Sequence, residues 1–364
     1  MKVLHVITSL YTGGAERLMV DLLPLLRNGG ENQVDLLVIN GVETPFKKKL
    51  EEAGIRVFAL QMTNDVYHPR VLLRMRRFLR YAQYDIVHTH NTAPQLYVPL
   101  SRLLLSSKGK LLTTEHSTNS RRRSLWWFKP IDKWMYSRYE AIVCIADKSK
   151  AVLDEYIGHL DTVVVINNGI DVKRFLHPIK DISLQDTFVV TMVAALRVEK
   201  DHETLLKAVK LLPQKYRLRI VGGGPPEVAD SVKARCHALD LDDRVDFMGM
   251  RMDVPDLLEQ SDVIVLSSHW EGLSLSSIEG MASGRPFIAS DVNGLREIVN
   301  GAGLLFPHGD DVALAQKIQW LCEHPDEYRE VAERCQEKAR QYDISVTADN
   351  YLKLYEKLLN KSSK

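Results

Sequence analysis

The chain has 364 residues, of which 45% are hydrophobic and 26% are charged, and its net charge is +1. These values describe an ordinary globular protein that is long for one doubly wound domain and comfortable for two. The small net charge gives no field that would favour nucleic acid, and no apolar run approaches the roughly 20 residues of a membrane span.

The expected compartment is the cytoplasm. The four cysteines, Cys144, Cys236, Cys322 and Cys335, are scattered without metal-binding spacing, which predicts buried, reduced thiols. Because Met1 leads at once into a strand pattern, we expect no signal peptide.

Short apolar runs alternate with stretches of helical period along the whole chain. The predicted strands are residues 3–7, 34–39, 55–60, 86–88, 111–114, 142–145, 163–166, 188–193, 218–221, 245–248, 263–266 and 287–289. Residues 15–26 and 71–81 are typical of the intervening helices, and the tail, residues 312–359, is predicted to be helical throughout. Such βαβ alternation predicts parallel sheets.

A break in this alternation separates two halves. Residues 167–171 are followed by a strandless stretch, 177–186, after which the pattern restarts. We therefore predict an α/β protein of two Rossmann-like, doubly wound domains, residues 1–180 and 181–345, with a ligand in the cleft between them. A C-terminal helix, residues 346–364, is expected to pack back on the N-terminal domain.

The segment after the predicted strand 263–266 is the most informative part of the chain. It places Glu271 in a polar loop and Glu279 in the first turns of a helix. Two carboxylates then stand at the carboxyl end of a parallel strand, beside helix N–H groups that attract phosphate, which indicates a nucleotide-sugar site. The alternative is a capping box, in which Glu279 only satisfies the backbone N–H of Ser276.

Glycines follow a strand in each half. Gly13 and Gly14 come directly after the first strand, and residues 222–224 follow a strand of the second half. Glycine permits a tight turn and a close approach of the backbone to a ligand, although a simple turn explains both loops equally well.

Two cations, Arg197 and Lys200, follow the first strand of the second half. They could neutralise a diphosphate, and each is worth roughly 4 kcal/mol at about 4 Å and an effective dielectric near 20, before desolvation. The alternative is a solvated helix start.

A metal site is not expected. Asp240 and Asp242 lie in a polar loop before a strand, and the pair His88 and His90 is too small for a closed site. His116 ends a strand of the first half and faces the expected cleft, so it is a candidate functional residue as well as a candidate structural one.

Several motifs occur in one order along nearly the whole chain. They are Gly13-Gly14-Ala-Glu, His116, Asn168-Gly-Ile-Asp171, Arg197 with Lys200, residues 222–224, Glu271-x7-Glu279 and residues 290–298. Together they resemble a glycosyltransferase of the GT-B fold, family 4 (glycosyl transferases group 1). The paired glutamates with residues 290–298 after them are the most specific part.

The resemblance implies a metal-independent transfer of a hexosyl group, with retention, from a nucleoside-diphosphate sugar to a saccharide or lipid-linked acceptor. UDP is the expected nucleotide on family frequency, and surface polysaccharide or glycolipid assembly is the expected setting. No cofactor is implied. Front-face attack and double displacement both stay open as mechanisms.

The resemblance also assigns roles. Glu279 would bind the ribose, and Glu271 would hold the hydroxyls of the transferred sugar. Lys200, helped by Arg197, would neutralise the diphosphate, and His116 would contact the sugar near the reacting carbon. The predicted donor-binding residues further include Gly13, Gly14, Gly223, Arg251, Leu273, Ser274 and Leu275.

Two positions depart from the family pattern. The family's arginine commonly lies five residues before the lysine, where this chain has Ala195, while Arg197 is closer. Asn293 replaces a glycine that is common in the later loop.

A basic, tryptophan-rich segment bears on the acceptor. Residues 121–138 hold Trp126, Trp127 and Trp134 among arginines and lysines, and residues 71–80 form a second basic amphipathic stretch. Such patterns suit an anionic membrane, which would place the protein on the inner face of the cell membrane. The alternative is that the tryptophans are buried under the sheet while the cations are solvated.

Three other functions compete with a transferase. A nucleotide-sugar hydrolase or epimerase of the same fold would need no acceptor. A phosphorylase-like enzyme would need a pyridoxal lysine, and the length and motifs argue against it. A non-catalytic nucleotide-sugar binding module is disfavoured by the joint presence of Glu271, Glu279, Lys200 and His116.

Overall fold

In a computed structural model the chain divides into two compact units, Met1–Gly169 with Ile344–Lys364, and Ile170–Asp343. The structure describes residues 1–11, 13–103, 105, 109–116, 123 and 125–360. The first boundary lies ahead of residue 180 because Ile170, Val172 and Phe175 are buried in the hydrophobic core of the second unit.

The first unit is built around a parallel sheet. Its strands are β1 (Lys2–Ile7), β2 (Gln33–Asn40), β3 (Arg56–Gln61), β4 (Ile86–His90), β5 (Lys110–Glu115), β6 (Ala141–Cys144) and β7 (Val163–Val165). Its helices include α1 (Gly14–Leu26), α2 (Pro45–Glu52), α3 (Pro69–Tyr81), α4 (Thr92–Arg102), α5 (Lys129–Tyr136) and α6 (Asp147–Ile157). The sheet order is β3-β2-β1-β4-β5-β6-β7, so the winding direction reverses between β1 and β4. Such a switch point opens a crevice at the carboxyl ends of the strands.

The second unit repeats this architecture. Its strands are β8 (Phe188–Val193), β9 (Tyr216–Val221), β10 (Val245–Gly249), β11 (Val263–Leu266), β12 (Phe287–Ser290) and β13 (Leu304–Phe306). Its helices include α7 (His202–Leu211), α8 (Pro226–Ala238), α9 (Val254–Glu259), α10 (Leu275–Ala282), α11 (Arg296–Val299), α12 (Asp311–Glu323) and α13 (Pro325–Arg340). The order β10-β9-β8-β11-β12-β13 places its switch point between β8 and β11. The prediction of two Rossmann-like α/β domains is therefore confirmed.

The predicted continuous helical tail is wrong. It is broken between α12 and α13, where Pro325 fixes its own φ and keeps His324 in an extended conformation with φ −128°. A second break, at residues 341–343, precedes α14 (Ile344–Asn360). Tyr351 and Tyr355 of α14 are buried in the core of the first unit, next to the residues of α1.

Helix α3 illustrates how the sequence specifies local structure. Pro69 occupies the first turn, and the ring of His68 accepts a hydrogen bond from the Arg70 N–H at 3.1 Å. Val71, Met75 and Leu79 recur every fourth residue and are buried, each contributing about 1.5–3 kcal/mol by leaving water. The arginines between them occupy the remaining faces of the helix.

The four cysteines are free and buried, as predicted. Within the described residues, no helix combines the length and the apolar character needed to cross a bilayer.

Candidate functional site

Lys200 and Glu271 form an ion pair at the carboxyl edge of the second sheet. The Lys200 Nζ lies 2.5 Å from the Glu271 Oε1, and the two side chains are only 18% and 10% exposed. The Ser268 hydroxyl donates to the same carboxylate oxygen at 2.7 Å. The Lys200 ammonium and the Glu271 carboxylate thus meet in a largely water-excluded position, where electrostatic interactions are stronger than in water.

The turn that carries Lys200 is fixed by its neighbour. Asp201 has a left-handed backbone (φ 48°), and its carboxylate caps α7 by accepting bonds from the N–H and hydroxyl of Thr204. The hydroxyl of Ser267, just after β11, donates to the Asp201 carbonyl at 2.8 Å. This bond ties the turn after β8 to the loop after β11, and so brings Lys200 to Glu271.

Helix α10 begins at the other end of the same loop. Its N-cap is Ser274, whose hydroxyl accepts a hydrogen bond from the Ser277 N–H at 3.3 Å. Ser276 is therefore already inside the helix, and the capping box of Ser276 with Glu279 does not form. Glu279 is a buried carboxylate, 6% exposed, in the middle of α10. The role of Glu279 in binding the ribose stays a prediction.

The other predicted donor-binding residues of this loop contact the core of the second unit. Leu275 is the first residue of α10, and both Leu273 and Leu275 pack against the core of the second unit. Gly280 lets α10 approach the sheet, because a Cβ there would lie 2.8 Å from the Phe287 ring and 2.9 Å from Ile264.

Gly294 is a residue that the sequence analysis did not single out. It has a φ of +88°, and a Cβ there would lie 2.4 Å from the Gly272 carbonyl oxygen and 2.5 Å from that of Glu271. The loop after β12 therefore supports the Glu271 loop by direct backbone contact, which only glycine allows. Its place in the motif of residues 290–298 was the available signal.

The glycines after β9 serve a close backbone approach. A Cβ on Gly222 would lie 2.0 Å from the Ala194 carbonyl oxygen, and one on Gly224 would lie 2.1 Å from that of Leu196. Gly223 has more space, with Met250 as its nearest neighbour at 3.8 Å, and its carbonyl accepts a bond from the Leu196 N–H. The loops after β8 and β9 are thus locked together beside Lys200.

Arg197 and Arg251 lie at the same edge but point elsewhere. The Arg197 side chain is 63% exposed, and its guanidinium lies 3.7 Å from the Glu199 carboxylate. Arg251 makes two hydrogen bonds to the Asp253 carboxylate, at 2.7 Å and 2.5 Å. This pairing lowers the pKa of the Asp253 carboxyl. The structure brings Lys200 and Glu271 together and leaves these two arginines paired with other carboxylates.

In the first unit, Gly13 and Gly14 stand at the start of α1. Gly13 is the N-cap with an extended backbone, and a Cβ there would meet the Glu16 carboxylate, whereas a Cβ on Gly14 would have no neighbour within 4 Å among the described residues. The Asn91 amide donates to Glu16 at 3.3 Å, and burial raises the pKa of the Glu16 carboxyl. The open space at Gly14 leaves room for a ligand next to the β1 edge.

His116 directly follows β5 in the same unit and joins a group of buried histidines. Its Nε2 lies 2.9 Å from the Nδ1 of His90. Burial lowers the pKa of His116 to about 4, although neighbouring Glu115 acts in the opposite direction. Glu115 is itself held by Arg123 at 2.8 Å and by the Tyr136 hydroxyl at 2.5 Å. His116 is therefore neutral at physiological pH.

Among the described residues, two groups bring three ligand atoms within 4.8 Å of one another, as a metal ion requires: His5 with His88 and His90, and Asp201 with His269 and His308. In the first group the rings already hydrogen-bond to one another and to hydroxyls. In the second, His269 Nδ1 and His308 Nε2 share a hydrogen bond of 2.6 Å, and Asp201 caps α7. Hydrogen bonding explains both groups, and a metal-free reaction stays a prediction.

The tryptophans of the basic segment are more exposed than burial under the sheet would allow. Trp126 is 86% exposed and Trp127 is 48% exposed, whereas Trp134 packs partly against the core with Arg138 over its ring. Arg121 and Arg122 lie outside the described residues. On α3, Leu73 is 67% exposed among the arginines.

Two family models match the chain. Glycosyltransferase Family 4 matches residues 12–174, and Glycosyl transferases group 1 matches residues 172–342. Together these models extend over both units and include every motif of the carboxyl edges described above.

Relatives and solved structures agree with these models. The chain is 27% identical over 323 residues to the UDP-Gal:alpha-D-GlcNAc-diphosphoundecaprenol alpha-1,3-galactosyltransferase of Escherichia coli, covering 81% of this chain and 80% of that one. It is 24% identical over 375 residues to a Campylobacter jejuni enzyme, the GalNAc-alpha-(1->4)-GalNAc-alpha-(1->3)-diNAcBac-PP-undecaprenol alpha-1,4-N-acetyl-D-galactosaminyltransferase, covering 99% of each. Anabaena HepE in complex with UDP has a TM-score of 0.85 at 20% identity, over 98% of this chain and 100% of that one. That likeness shows a shared fold, GT-B.

Proposed function

The chain belongs to the group 1 glycosyltransferases of the GT-B fold, and on that premise we propose which reaction it catalyses. It moves a hexosyl group from a UDP-sugar to a saccharide or lipid-linked acceptor, with retention of anomeric configuration and without a metal ion. The setting is the assembly of a surface polysaccharide or glycolipid.

The buried ion pair of Lys200 with Glu271 is the observation that carries this proposal. The ion pair with Glu271 orients the Lys200 ammonium before the donor arrives. A diphosphate that binds beside Lys200 then replaces Glu271 as the anionic partner of the ammonium. Negative charge develops on the leaving diphosphate during transfer, and a pre-positioned cation stabilises that charge most where water is excluded. The Glu271 carboxylate is then released to accept hydrogen bonds from the hydroxyls of the sugar.

We assign the remaining donor contacts to side chains at the same carboxyl edge of the second sheet. The buried Glu279 carboxylate receives the ribose hydroxyls, and the N–H groups that begin α10 favour the phosphates. Arg197 is 63% exposed and 3.7 Å from Glu199, so its guanidinium can leave this weak surface pair for the diphosphate. In the first unit, the role proposed for His116 is a contact with the sugar near the reacting carbon.

The choice of UDP and of a lipid-linked acceptor is supported by the relatives. The Escherichia coli relative carries UDP-Gal and a diphosphoundecaprenol acceptor in its name, and HepE has been crystallised with UDP and with UDP-glucose. The exposed Trp126 and Trp127, in a segment whose sequence also holds Lys129 and Lys133, suit an acceptor held in a membrane, at its inner face.

The test is a transfer assay with UDP-sugars and undecaprenyl-diphosphate-linked saccharides, in EDTA, with the product's anomeric configuration read by NMR. We expect an α-linked product from an α-linked donor at full rate in EDTA. Release of the free sugar without acceptor would instead identify a hydrolase, and an inverted product or a metal requirement would contradict the proposed mechanism.

A further inference from the structure

Four histidines of the first unit form one continuous hydrogen-bonded chain, in which His5, His88 and His90 are fully buried and His116 is half-buried. His116 Nε2 lies 2.9 Å from His90 Nδ1, and His90 Nε2 lies 2.9 Å from His5 Nδ1. His5 Nε2 then lies 3.4 Å from the hydroxyl of Tyr355, which lies 2.7 Å from His88 Nδ1. We call this chain the histidine relay. It connects the candidate site residue His116 to helix α14.

The relay continues past His88 and ends in α14 again. His88 Nε2 lies 2.7 Å from the hydroxyl of Thr114, which lies 3.0 Å from the hydroxyl of Tyr351. At its other end, and among the described residues, the Nδ1 of His116 is buried without a hydrogen-bond partner. A buried, unpartnered ring nitrogen is costly unless a ligand satisfies it.

The four rings are neutral, because burial lowers every one of their pKa values. The pKa of His5 falls to about 3 and that of His116 to about 4, while those of His88 and His90 lie well below the ordinary value. A neutral imidazole has one N–H and one lone pair, so each ring donates at one nitrogen and accepts at the other. The direction of one bond therefore fixes the direction of all of them.

The Tyr355 hydroxyl decides this direction. If it donates to His88, the 2.7 Å bond has the short length that a hydroxyl donor prefers. The N–H of His5 then meets the hydroxyl at 3.4 Å, which exceeds the usual N–H range of about 2.7–3.2 Å by less than it exceeds the O–H range of about 2.5–3.0 Å. If it donates to His5 instead, a hydroxyl must bridge 3.4 Å, which is beyond its usual range. The first arrangement is the better one, and a phenol is also the stronger proton donor.

From this geometry we propose that the histidine relay holds His116 as the Nε2–H tautomer and aims the lone pair of its Nδ1 at the ligand. Tyr355 donates to His88, His5 donates to Tyr355, His90 donates to His5, and His116 donates to His90. All four histidines are then Nε2–H tautomers. His90, His5 and Tyr355 are positioning residues that act through His116.

The ligand of His116 is the part that rests on the proposed function. A bare Nδ1 accepts a hydrogen bond and cannot donate one, so the group it meets must be a donor and not a phosphate or carbonyl oxygen. With a nucleotide sugar as the donor substrate, that group is an O–H of the sugar. This deepens the assigned role of His116 near the reacting carbon, since it specifies which partner donates.

Nitrogen-15 NMR of histidine-labelled protein at pH 7 tests the relay directly, because the protonated and bare ring nitrogens have separate shifts. Each signal is assigned by its loss from a single-histidine variant. We expect His5, His88, His90 and His116 all to be Nε2–H tautomers. A single Nδ1–H tautomer among them, or all four, would overturn the proposal.

Coupling along the relay is tested from its far end with Tyr355→Phe. Without the phenol, His5 loses its acceptor and the direction of the relay is no longer fixed, so His116 should show a mixture of tautomers. The matched control is Tyr328→Phe, which removes a buried tyrosine hydroxyl bond of 2.8 Å in the second unit and should leave all four tautomers unchanged. Unchanged tautomers in folded Tyr355→Phe would refute the coupling.

Kinetics of His90 variants give a second readout that does not depend on Tyr355. His90→Leu removes the acceptor of His116 and should lower kcat about tenfold with little change in the donor KM. His90→Asn keeps an oxygen near the Nδ1 position and should restore most of kcat. Equal rates in the two variants would overturn the positioning role, whereas full activity of His116→Gln would overturn the proposed role of His116 and leave the NMR result to decide the relay.

Discussion

Lys200 and Glu271 stand 71 positions apart in the sequence, yet their Nζ and Oε1 atoms are 2.5 Å apart at the carboxyl edge of the second sheet. Ser268 and the Asp201 turn hold them there. The pair keeps a cation oriented in a partly water-excluded position before any anionic ligand arrives. Such pre-organisation is the feature that electrostatic catalysis requires.

Replacing the cation should therefore impair chemistry more than binding. We expect Lys200→Met to lower kcat by about 10²-fold or more, since single electrostatic contacts of this kind typically cost 10²–10³-fold. The matched control is Lys210→Met, whose pair with Asp240 is 44% and 89% exposed and worth about 1 kcal/mol or less. Steady-state kinetics on both variants check this, and a kcat near that of the unaltered chain in Lys200→Met would contradict it.

Gly294 offers a test of how the Glu271 loop is supported. Gly294→Ala must push a Cβ against two carbonyl oxygens at 2.4 Å and 2.5 Å, so it should displace the loop and weaken donor binding. Gly309→Ala is the control, because Gly309 has a similar φ of +76° but no neighbour within 4 Å in the part of the chain that the structure describes. We expect the control to lose about 1 kcal/mol of stability from backbone strain alone.

Calorimetry and donor titration distinguish the two glycine variants. Gly294→Ala should show both a larger fall in Tm than Gly309→Ala and a weaker donor Kd. If the two variants lose the same stability and bind donor equally well, the contact with the Glu271 loop has no functional importance.

The buried histidines should make stability fall with acidification. In the folded chain the pKa of His5 is lowered to about 3 and that of His116 to about 4, whereas in the unfolded chain both titrate near 6.5. Between pH 6.5 and 4 the unfolded state therefore binds more protons, and the free energy of unfolding decreases as the pH falls. The slope is about 1.4 kcal/mol per pH unit for each excess proton.

Denaturant unfolding at several pH values measures this slope. His116→Gln should reduce the slope by the contribution of one proton, about 1.4 kcal/mol per pH unit. His237→Gln should not reduce the slope, because His237 is exposed and its pKa is raised by Asp242. A pH-independent stability between pH 6.5 and 5 would contradict neutral burial of these rings.

The exposed tryptophans make a prediction about membranes. Trp126 and Trp127 are 86% and 48% exposed in a segment whose sequence is rich in lysine and arginine, so the protein should float with vesicles that contain anionic lipid and less with neutral ones. Replacing both with serine should reduce flotation, whereas Trp320→Ser, a tryptophan 37% exposed in the second unit, should not. Failure of the unaltered chain to bind either vesicle would refute a peripheral membrane location.

The strands were predictable because most of them are continuous apolar runs bounded by polar turns. Strand β13 was not predicted, because it has only three residues and two of them are half-buried. The helical tail read as continuous because its apolar period persists on both sides of Pro325, although the proline ends one helix and begins the next.

The sequence indicated candidate site residues, whose roles stay predictions, but it did not indicate their contacts. The motif spacing indicated Glu271, Glu279 and Lys200, whereas the pairing of Lys200 with Glu271 depends on which strands are neighbours in the sheet. The histidine relay depends on register in the same way, because the parallel pairing of β1 with β4 sets His5 opposite His88. Without knowledge of that register, the sequence shows only separate histidines in apolar strands.

Donor binding tests the central claim most directly. Thermal unfolding is measured with UDP, GDP, ADP and their common sugars, each in EDTA and in Mg²⁺, for the unaltered chain and for Glu279→Ala. A hundredfold excess of ligand over its Kd stabilises a fold by about 2.7 kcal/mol, which is readily detected. We expect a rise in Tm with UDP and UDP-sugars that EDTA leaves unchanged and that Glu279→Ala abolishes. No rise with any nucleotide, or an equal rise in Glu279→Ala, would contradict the assignment of this edge as the donor site.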